Sequence, residues 1–568
     1  MSARKYLPEV LVVVLLSIVI VGIDIRLSSH LGLLTYPPYY DGISYMMDAK
    51  RLFLRLGQLW DDPFGTMARQ NLVLAPLWQG LMVTSFLVLG DGEWQVYTVR
   101  FWPTVLLLLL ILWVVRRHGG NQVKWLAVAC TGLLPTVSVG LRASLLSQYR
   151  ALWNPSSVLV SGVSSNAGLE WYLADLRPDL LFAVLLLWSV VPLIEFAHSL
   201  GRRVWLISGT FASLALLSKS SMLPALAITW AIAIAYVGLV NRYQLRRSFL
   251  LGLWAVLPFL LMTGPWVMMG GLRITVNYIL ANAIGPESMF WSNPSPTVLS
   301  ELGYYWRFFP IHMGNEAYLF LAGGLAVSLY LVSTMSVRAK HMFAYLAISA
   351  ALWILVSLSA GKNYFIGLPY YLMLWTLSWM GLASFVDGKI RQIRRLFLVV
   401  ILCIYVGFQI AGGAYMVGYL SSQPSLLGYA NRQTTQDIAA DLRSVLRNED
   451  RFMWAPAYGF PATLEYYMMD KEGGYPNHIS IDMTKPPTRF IEESVTKCKA
   501  ILVYEEDIKV VAQFTWVHVS QQPYFQAIAD WVKQPSSGYT AVKTYYLITD
   551  NGQLSLRLYL SSTETIYD

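Results

Sequence analysis

Charge is scarce in this sequence. Of its 568 residues only 13% are Asp, Glu, Lys or Arg, about half the share of an ordinary soluble protein, while 56% are apolar. A water-soluble fold is thereby excluded for most of the chain: hydrophobic runs of spanning length recur through the first three quarters, and such a surplus needs lipid as its solvent. Cysteine is scarce as well. Cys130 and Cys403 fall in apolar runs and Cys498 in the polar tail, so the three build neither a disulfide framework nor a zinc cluster. The chain has no glycine-rich phosphate loop, no internal repeat and no low-complexity tract. Its net charge of +9 is spread by topology and does not form a nucleic-acid-binding patch. No Asn-X-Ser/Thr with X other than proline occurs, which favours a prokaryotic envelope over a secretory lumen.

With roughly 15 to 25 apolar residues per span, the sequence predicts eleven transmembrane helices: 7–23, 101–115, 125–140, 180–198, 204–218, 221–240, 248–270, 317–334, 342–359, 364–386 and 396–418. An odd number puts the two termini on opposite sides. The basic residues decide which. Arg4 and Lys5, then Arg116, Arg117 and Lys124, Arg202 and Arg203, Arg242, Arg246 and Arg247, Arg338 and Lys340, and finally Lys389, Arg391, Arg394 and Arg395 fall on alternate sides in short segments. The long segments 24–100, 141–179 and 271–316 are nearly balanced. The positive-inside rule then places the amino terminus in the cytoplasm. The first span is followed by no small-residue cleavage site and reads as an anchor, not a signal peptide. The apolar stretch Leu72 to Leu89 would invert every later loop if it crossed. With Pro76, Gln79 and Gly80 early in it, it reads as an interfacial or re-entrant helix.

After about Ser421 polar and charged residues return and apolar runs shorten to strand length. Gln433 to Arg447 has helical amphipathic period, Phe490 to Lys497 reads as a second helix, and Arg451 to Ala455, His478 to Ile481 and Ala500 to Tyr504 read as strands. Tyr539 to Thr549 and Gln553 to Ser561 flank Asp550-Asn551-Gly552, a strong hairpin signal. The expected architecture is therefore a polytopic α-helical membrane domain at 1–420, with interfacial helices in an outer loop at 24–100, and a soluble extracytoplasmic α/β domain at 421–568.

Ionisable residues at a membrane boundary are costly without a role, so the outer loops are where chemistry is expected. Asp41 opens a helix with Met46, Met47, Leu52, Phe53 and Leu56 on an apolar stripe and Asp48, Lys50, Arg51 and Arg55 elsewhere. Asp41 suits two roles, an N-cap or a general base held at the surface. Lys219 and Lys362 end spans, where they suit either a phosphate or simple snorkelling to the interface. Arg177 and Asp179 open another span, where an acid favours the helix dipole and an arginine anchors headgroups. Tyr304, Tyr305 and Trp306 read as an interfacial aromatic belt. His312 and Glu316, two candidate ligands without a third, make no metal site.

Several of these residues fall in a shared order. Tyr40-Asp41 with Tyr45, Gly57, Pro76-Leu77-Trp78, Arg100-Phe101-Trp102-Pro103, Arg177-Pro178-Asp179, Leu214 to Lys219, Pro265-Trp266 and Ser357-Leu358-Ser359-Ala360-Gly361-Lys362 together resemble the GT-C membrane glycosyltransferases. That group includes the protein O-mannosyltransferases and the lipid A aminoarabinose transferase. Departures accompany the resemblance. Gly42 stands where the family usually has Glu after the Asp, Val73-Leu74-Ala75-Pro76 replaces the Glu-Lys-Pro-Pro of the aminoarabinose branch, and Tyr364 is displaced within the motif at Lys362. The missing metal-ligand carboxylate and phosphate-binding lysine argue against that branch.

The resemblance implies a membrane-bound transferase that moves a sugar from a polyprenyl-phosphate donor to an acceptor hydroxyl on a glycan, lipid or protein, with inversion and without a cofactor. It implies Asp41 as general base, Lys219, Lys362, Arg177 and Tyr364 at the donor phosphate, and Asp179 and Tyr45 toward the acceptor or behind those cations. Two rivals remain from the residues alone: a lipid or glycolipid flippase, against which no paired broken helices or mid-span charges are found, and a noncatalytic scaffold of the same fold.

Overall fold

A computed structural model describes residues 6–30, 41–56, 75–134, 136–137, 176–199, 201–283, 297–313, 317–333, 337–359, 364–386, 400, 426–455, 460–514, 521–549 and 552–562. Among the described residues the amino-terminal part is helical: α1 (Leu7–His30), α2 (Asp41–Leu54), α3 (Pro76–Leu89), α4 (Phe101–Arg117), α5 (Lys124–Gly132), α6 (Asp179–Glu195), α7 (Arg202–Ser218), α8 (Leu223–Val240), α9 (Leu245–Met268), α10 (Gly271–Ala283), α11 (Val298–Met313), α12 (Ala317–Ser333), α13 (Val337–Leu358) and α14 (Leu368–Val386). Among the described residues five helical stretches are long and apolar enough to cross a bilayer: Leu7–Arg26, Gln95–Arg117, Ser220–Val240, Phe249–Met268 and Lys340–Leu358. Of the spans expected from sequence, the one at 125–140 is helical only over Lys124–Gly132 in the described part, and the one at 396–418 lies outside the described residues save Val400.

Helix direction follows from ion pairs. Glu9 near the start of α1 accepts from Arg116 at the end of α4 and from Lys124 at 2.5 Å. Glu195 at the end of α6 accepts from Arg117 Nε at 2.8 Å and Tyr345 OH at 3.3 Å, and lies 3.0 Å from His118 Nε2. The end of α14 is here too, since Ser384 Oγ lies 3.5 Å from His118 Nδ1. This is the basic end of the bundle. The starts of α4, α6 and α14 and the ends of α7 and α13 must therefore lie at the far end. There Arg100 faces the buried Asp24 of α1 at 3.9 Å.

In lipid, helix pairs gain little from apolar burial and depend on close approach, so small residues sit at crossings. At Gly209 of α7 an added Cβ would overlap the backbone of Ala255 in α9; at Gly324 of α12 it would overlap Ser378 of α14. Against α3 the sequence and the structure agree. Pro76 occupies its first turn, Gly90 ends it with φ +90, and the helix has only 14 residues. The helix packs Trp78, Gln79, Met82, Val83 and Phe86 into the interior and is not a full span.

The carboxy-terminal part has its own apolar core and a five-stranded sheet. Its elements are α15 (Leu426–Val445), β1 (Arg451–Ala455), α16 (Phe460–Met468), β2 (Asn477–His478), α17 (Pro487–Glu493), β3 (Ala500–Tyr504), α18 (Ile508–Phe514), α19 (Gln522–Val532), β4 (Tyr539–Thr549) and β5 (Gly552–Ser561). The order is β2-β1-β3-β5-β4, with β1 parallel to β2 and β3, and β5 antiparallel to β3 and β4. Strand β3 is buried at all five positions, as a central strand with both faces covered should be. The alternating runs around Asn551-Gly552 do pair as an antiparallel ribbon, and the Ala500 to Tyr504 run is that central strand.

Overlap at the α7–α9 crossing sets a test. Gly209→Val forces the two helices apart and should lower the unfolding free energy by about 1–3 kcal/mol. Gly264→Ala, whose Cβ meets open space, should leave the melting temperature in detergent unchanged or slightly raised.

Candidate active site

Two helix ends meet at the far end of the bundle. Helix α6 starts at Asp179 after Pro178, which lacks an N–H and has φ −76, so an acid lands in the first turn where the helix dipole favours it. Helix α7 stops at Ser218. Lys219 leaves the helix with φ −155 and ψ 88, and Ser220 to Met222 make one short turn into α8. That turn is pinned from α10 by Thr275 Oγ1 donating to Ser220 Oγ at 2.7 Å. The break aims the Lys219 ammonium at Asp179, and Nζ donates to Oδ1 at 2.5 Å. The Asp179 side chain is 3% exposed and that of Lys219 13%. The second carboxylate oxygen of Asp179 is buried and accepts no hydrogen bond among the described residues. Asp179 and Lys219, 40 apart in the chain, are thus one ion pair.

Helix α3 ties this pair to the first loop. Trp78 Nε1 donates to the carbonyl of Leu176, next to the half-buried Arg177, at 2.6 Å. One residue further on, Gln79 Nε2 donates to Asp48 Oδ2 of α2 at 3.1 Å. Asp41 is the first residue of α2, and Tyr45 and Asp48 follow on the same face at four and seven residues. The Asp41 and Tyr364 side chains and all of Lys362 lie outside the described residues. The helices on either side of Lys362, α13 and α14, end and begin at the far end.

The sequence sets Asp48, Lys50, Arg51 and Arg55 apart from the apolar stripe of α2; in the structure Lys50, Arg51 and Arg55 meet the carboxy-terminal part. Arg51 lies 3.7 Å from Asp48 and 4.3 Å from the centre of the Tyr475 ring, Lys50 lies 3.8 Å from Asp91 and 4.2 Å from the centre of the Tyr466 ring, and Arg55 Nε donates to the Glu472 carbonyl at 2.6 Å. Burial pushes the Asp48 carboxyl up to about 7, with Arg51 pulling the other way. It pushes Glu465 of α16 up to about 7 as well, against the pull of Arg51. Sequence reading missed Asp48, Gln79 and Glu465 as members of this region. The available signal was the i, i+4, i+7 spacing of Asp41, Tyr45 and Asp48. For Glu465 there was none, because Arg51 is over 400 residues away in the chain.

A correction concerns Tyr304 to Trp306. Tyr305 is fully buried and not part of a belt: Tyr371 OH donates to its carbonyl at 2.5 Å, and its ring lies edge-on to Tyr370 at 6.4 Å. The side chains of His312 and Glu316 lie outside the described residues.

This arrangement of spans, short surface helices and a distal sheet is the GT-C fold of an integral membrane protein. No family model and no curated protein matches the sequence. Among solved structures the chain is similar to ArnT from Cupriavidus metallidurans in the apo state, with TM-score 0.55 and 14% identity over 98% of each chain. It is likewise similar to the same protein bound to undecaprenyl phosphate, with TM-score 0.54 and 14% identity over 100% of each chain. At that identity the likeness is one of fold, and it leaves Val73-Leu74-Ala75-Pro76 as far from Glu-Lys-Pro-Pro as before.

The buried pair has an energetic signature. Lys219→Met strands the Asp179 carboxylate and should cost about 3–5 kcal/mol. Adding Asp179→Leu should restore part of the loss, and a double-mutant cycle on thermal unfolding measures the difference.

Proposed function

We propose that this protein is a membrane glycosyltransferase that moves a sugar from a polyprenyl-phosphate donor to an acceptor hydroxyl, with inversion at the anomeric carbon. The observation that carries the reading is the Lys219 ammonium, held at the far end of the bundle by a carboxylate with an unused oxygen. A cation fixed at a water-poor boundary is what a departing lipid phosphate needs, since it offsets charge that grows as the glycosidic bond breaks. The ArnT structure of the same fold bound to undecaprenyl phosphate supports a lipid phosphate as the donor's leaving group.

In this reading Lys219 and Arg177 bind the donor phosphate, joined by Lys362 and Tyr364 from between α13 and α14. Asp41, at the start of α2, takes the proton of the acceptor hydroxyl as its oxygen attacks the anomeric carbon. The carbon–oxygen bond to phosphate breaks, and polyprenyl phosphate leaves with the electron pair. Asp179 holds Lys219 and offers its free oxygen to an acceptor or sugar hydroxyl, and Tyr45, one turn along α2 from Asp41, lies on the acceptor side. The donor carries its own activated bond, so no cofactor takes part. The far end faces away from the cytoplasm, with the amino terminus inside, as the basic residues at the opposite end require. Residues 421–568 form an extracytoplasmic domain above it, and eleven spans cross the cell membrane.

Asp41→Asn should lower transfer by about 10²–10⁴-fold while donor binding survives. Transfer is followed by mass spectrometry with the lipid-linked sugar that co-purifies. Full activity in that variant removes Asp41 from the mechanism. Vesicle uptake of a sugar-free lipid phosphate, with no transfer at all, would make the protein a flippase instead.

A further inference from the structure

Helix α2 carries a feature that transfer chemistry does not use. Asp48 lies two turns below Asp41 and is turned toward α3. Its partner Gln79 is 1% exposed, donates Nε2–H to Asp48 Oδ2 at 3.1 Å, and leaves its own Oε1 buried without a donor among the described residues. A buried amide oxygen without a donor is costly. If Asp48 is ionised it cannot help, because a carboxylate only accepts. If Asp48 keeps its proton, the acid and the amide can pair through two hydrogen bonds, the acid O–H to Oε1 and the amide N–H to the carboxyl oxygen. We infer that Asp48 is a positioning residue held as a neutral carboxylic acid, and that its acid–amide pair with Gln79 locks α2 against α3.

The surroundings agree. Helix α3 has no charged residue to stabilise an ionised Asp48. The one cation facing it, Arg51, is 3.7 Å away, beyond hydrogen-bonding distance, and is engaged by the Tyr475 ring and by the field of Glu465 from α16. On the same helix Lys50 turns to Asp91 and Tyr466, and Arg55 to the Glu472 carbonyl. Burial raises Asp48 to about 7. A carboxyl raised in the folded state binds a proton that the unfolded chain releases. Its contribution to stability is therefore full below the ordinary carboxylate range and is lost as pH rises to about 7. Glu465, raised by the same cause, adds a slope of the same sign.

The packing claim stands without the transferase reading; only its consequence for the placement of Asp41 rests on it. The test compares Asp48→Asn, Asp48→Ala and Gln79→Leu in lipid nanodiscs, following amide hydrogen exchange of α2 from about pH 5 to about pH 8 after correction for intrinsic rates. All variants are made with Glu465→Gln to remove the second slope. Asn can give an N–H to Oε1 and accept from Nε2 as the acid does. Asp48→Asn should therefore keep α2 protected at every pH, while the parent loses protection as pH rises and Asp48→Ala and Gln79→Leu exchange at least tenfold faster throughout. Equal loss in Asn and Ala would show that the charge beside Arg51 is what matters, and would overturn the inference. Should the Ala variant fail to fold, infrared difference spectra of the parent and Asp48→Asn decide: a protonated carboxyl band at pH 6 that vanishes in the Asn variant supports the pair, and its absence from the parent refutes it.

Discussion

Lipid supplies no hydrogen bonds and little screening, so every charge buried in this bundle has to be matched from within the protein. The structure meets that constraint with ion pairs at helix ends. Glu9 takes Arg116 and Lys124, Glu195 takes Arg117 and His118, Asp24 faces Arg100, and Asp179 takes Lys219. These contacts fix which helix ends meet, and so they define the two ends of the molecule. At Glu9 and Glu195 both carboxylate oxygens are engaged. Asp179 differs: one of its oxygens is engaged by Lys219 and the other is left over, buried, at the end where the loop helices gather.

Helix α3 makes that end into a site. It is too short to cross and too apolar to lie in water, and its packing solves both problems by wedging between the first loop and the spans. Successive residues face opposite neighbours: Trp78 reaches the backbone beside Arg177, and Gln79 reaches Asp48 of α2. Residues a hundred or more apart are thereby held to one distance. On its other side α2 is gripped by Tyr466, Glu472 and Tyr475, through two cation–ring contacts and one hydrogen bond from Arg55 to a backbone carbonyl. A sheet-bearing unit thus reaches the loop that carries the proposed base without contributing a residue to the chemistry.

The legibility of these features from sequence follows their range. The break after Ser218, the Pro178-Asp179 helix start and the Pro76 and Gly90 boundaries of α3 are local events, governed by φ preferences and missing N–H groups, and the residues announce them. The strand run Ala500 to Tyr504 and the ribbon around Gly552 are legible for the same reason. Lys219 and Asp179 could each be picked out as boundary charges, yet nothing in a 40-residue separation says that they touch. That the carboxy-terminal part meets Lys50, Arg51 and Arg55 was not legible, because amphipathic period reports that a face is polar, and burial by a distant segment leaves no local trace. Tyr305 was misread for the converse reason: aromatic residues near a helix end look alike whether they meet headgroups or one another.

The sequence by itself determined the solvent, the helical segments and the basic end, because these depend on composition and on periods of a few residues. The pairing of Asp179 with Lys219, the burial of Asp48 against Gln79 and the grip of Tyr475 and Tyr466 on α2 were decided only by tertiary structure. Each joins segments whose separation along the chain carries no energy. Only when the helices pack do the charges lose water, and only then does a particular partner become worth more than any other.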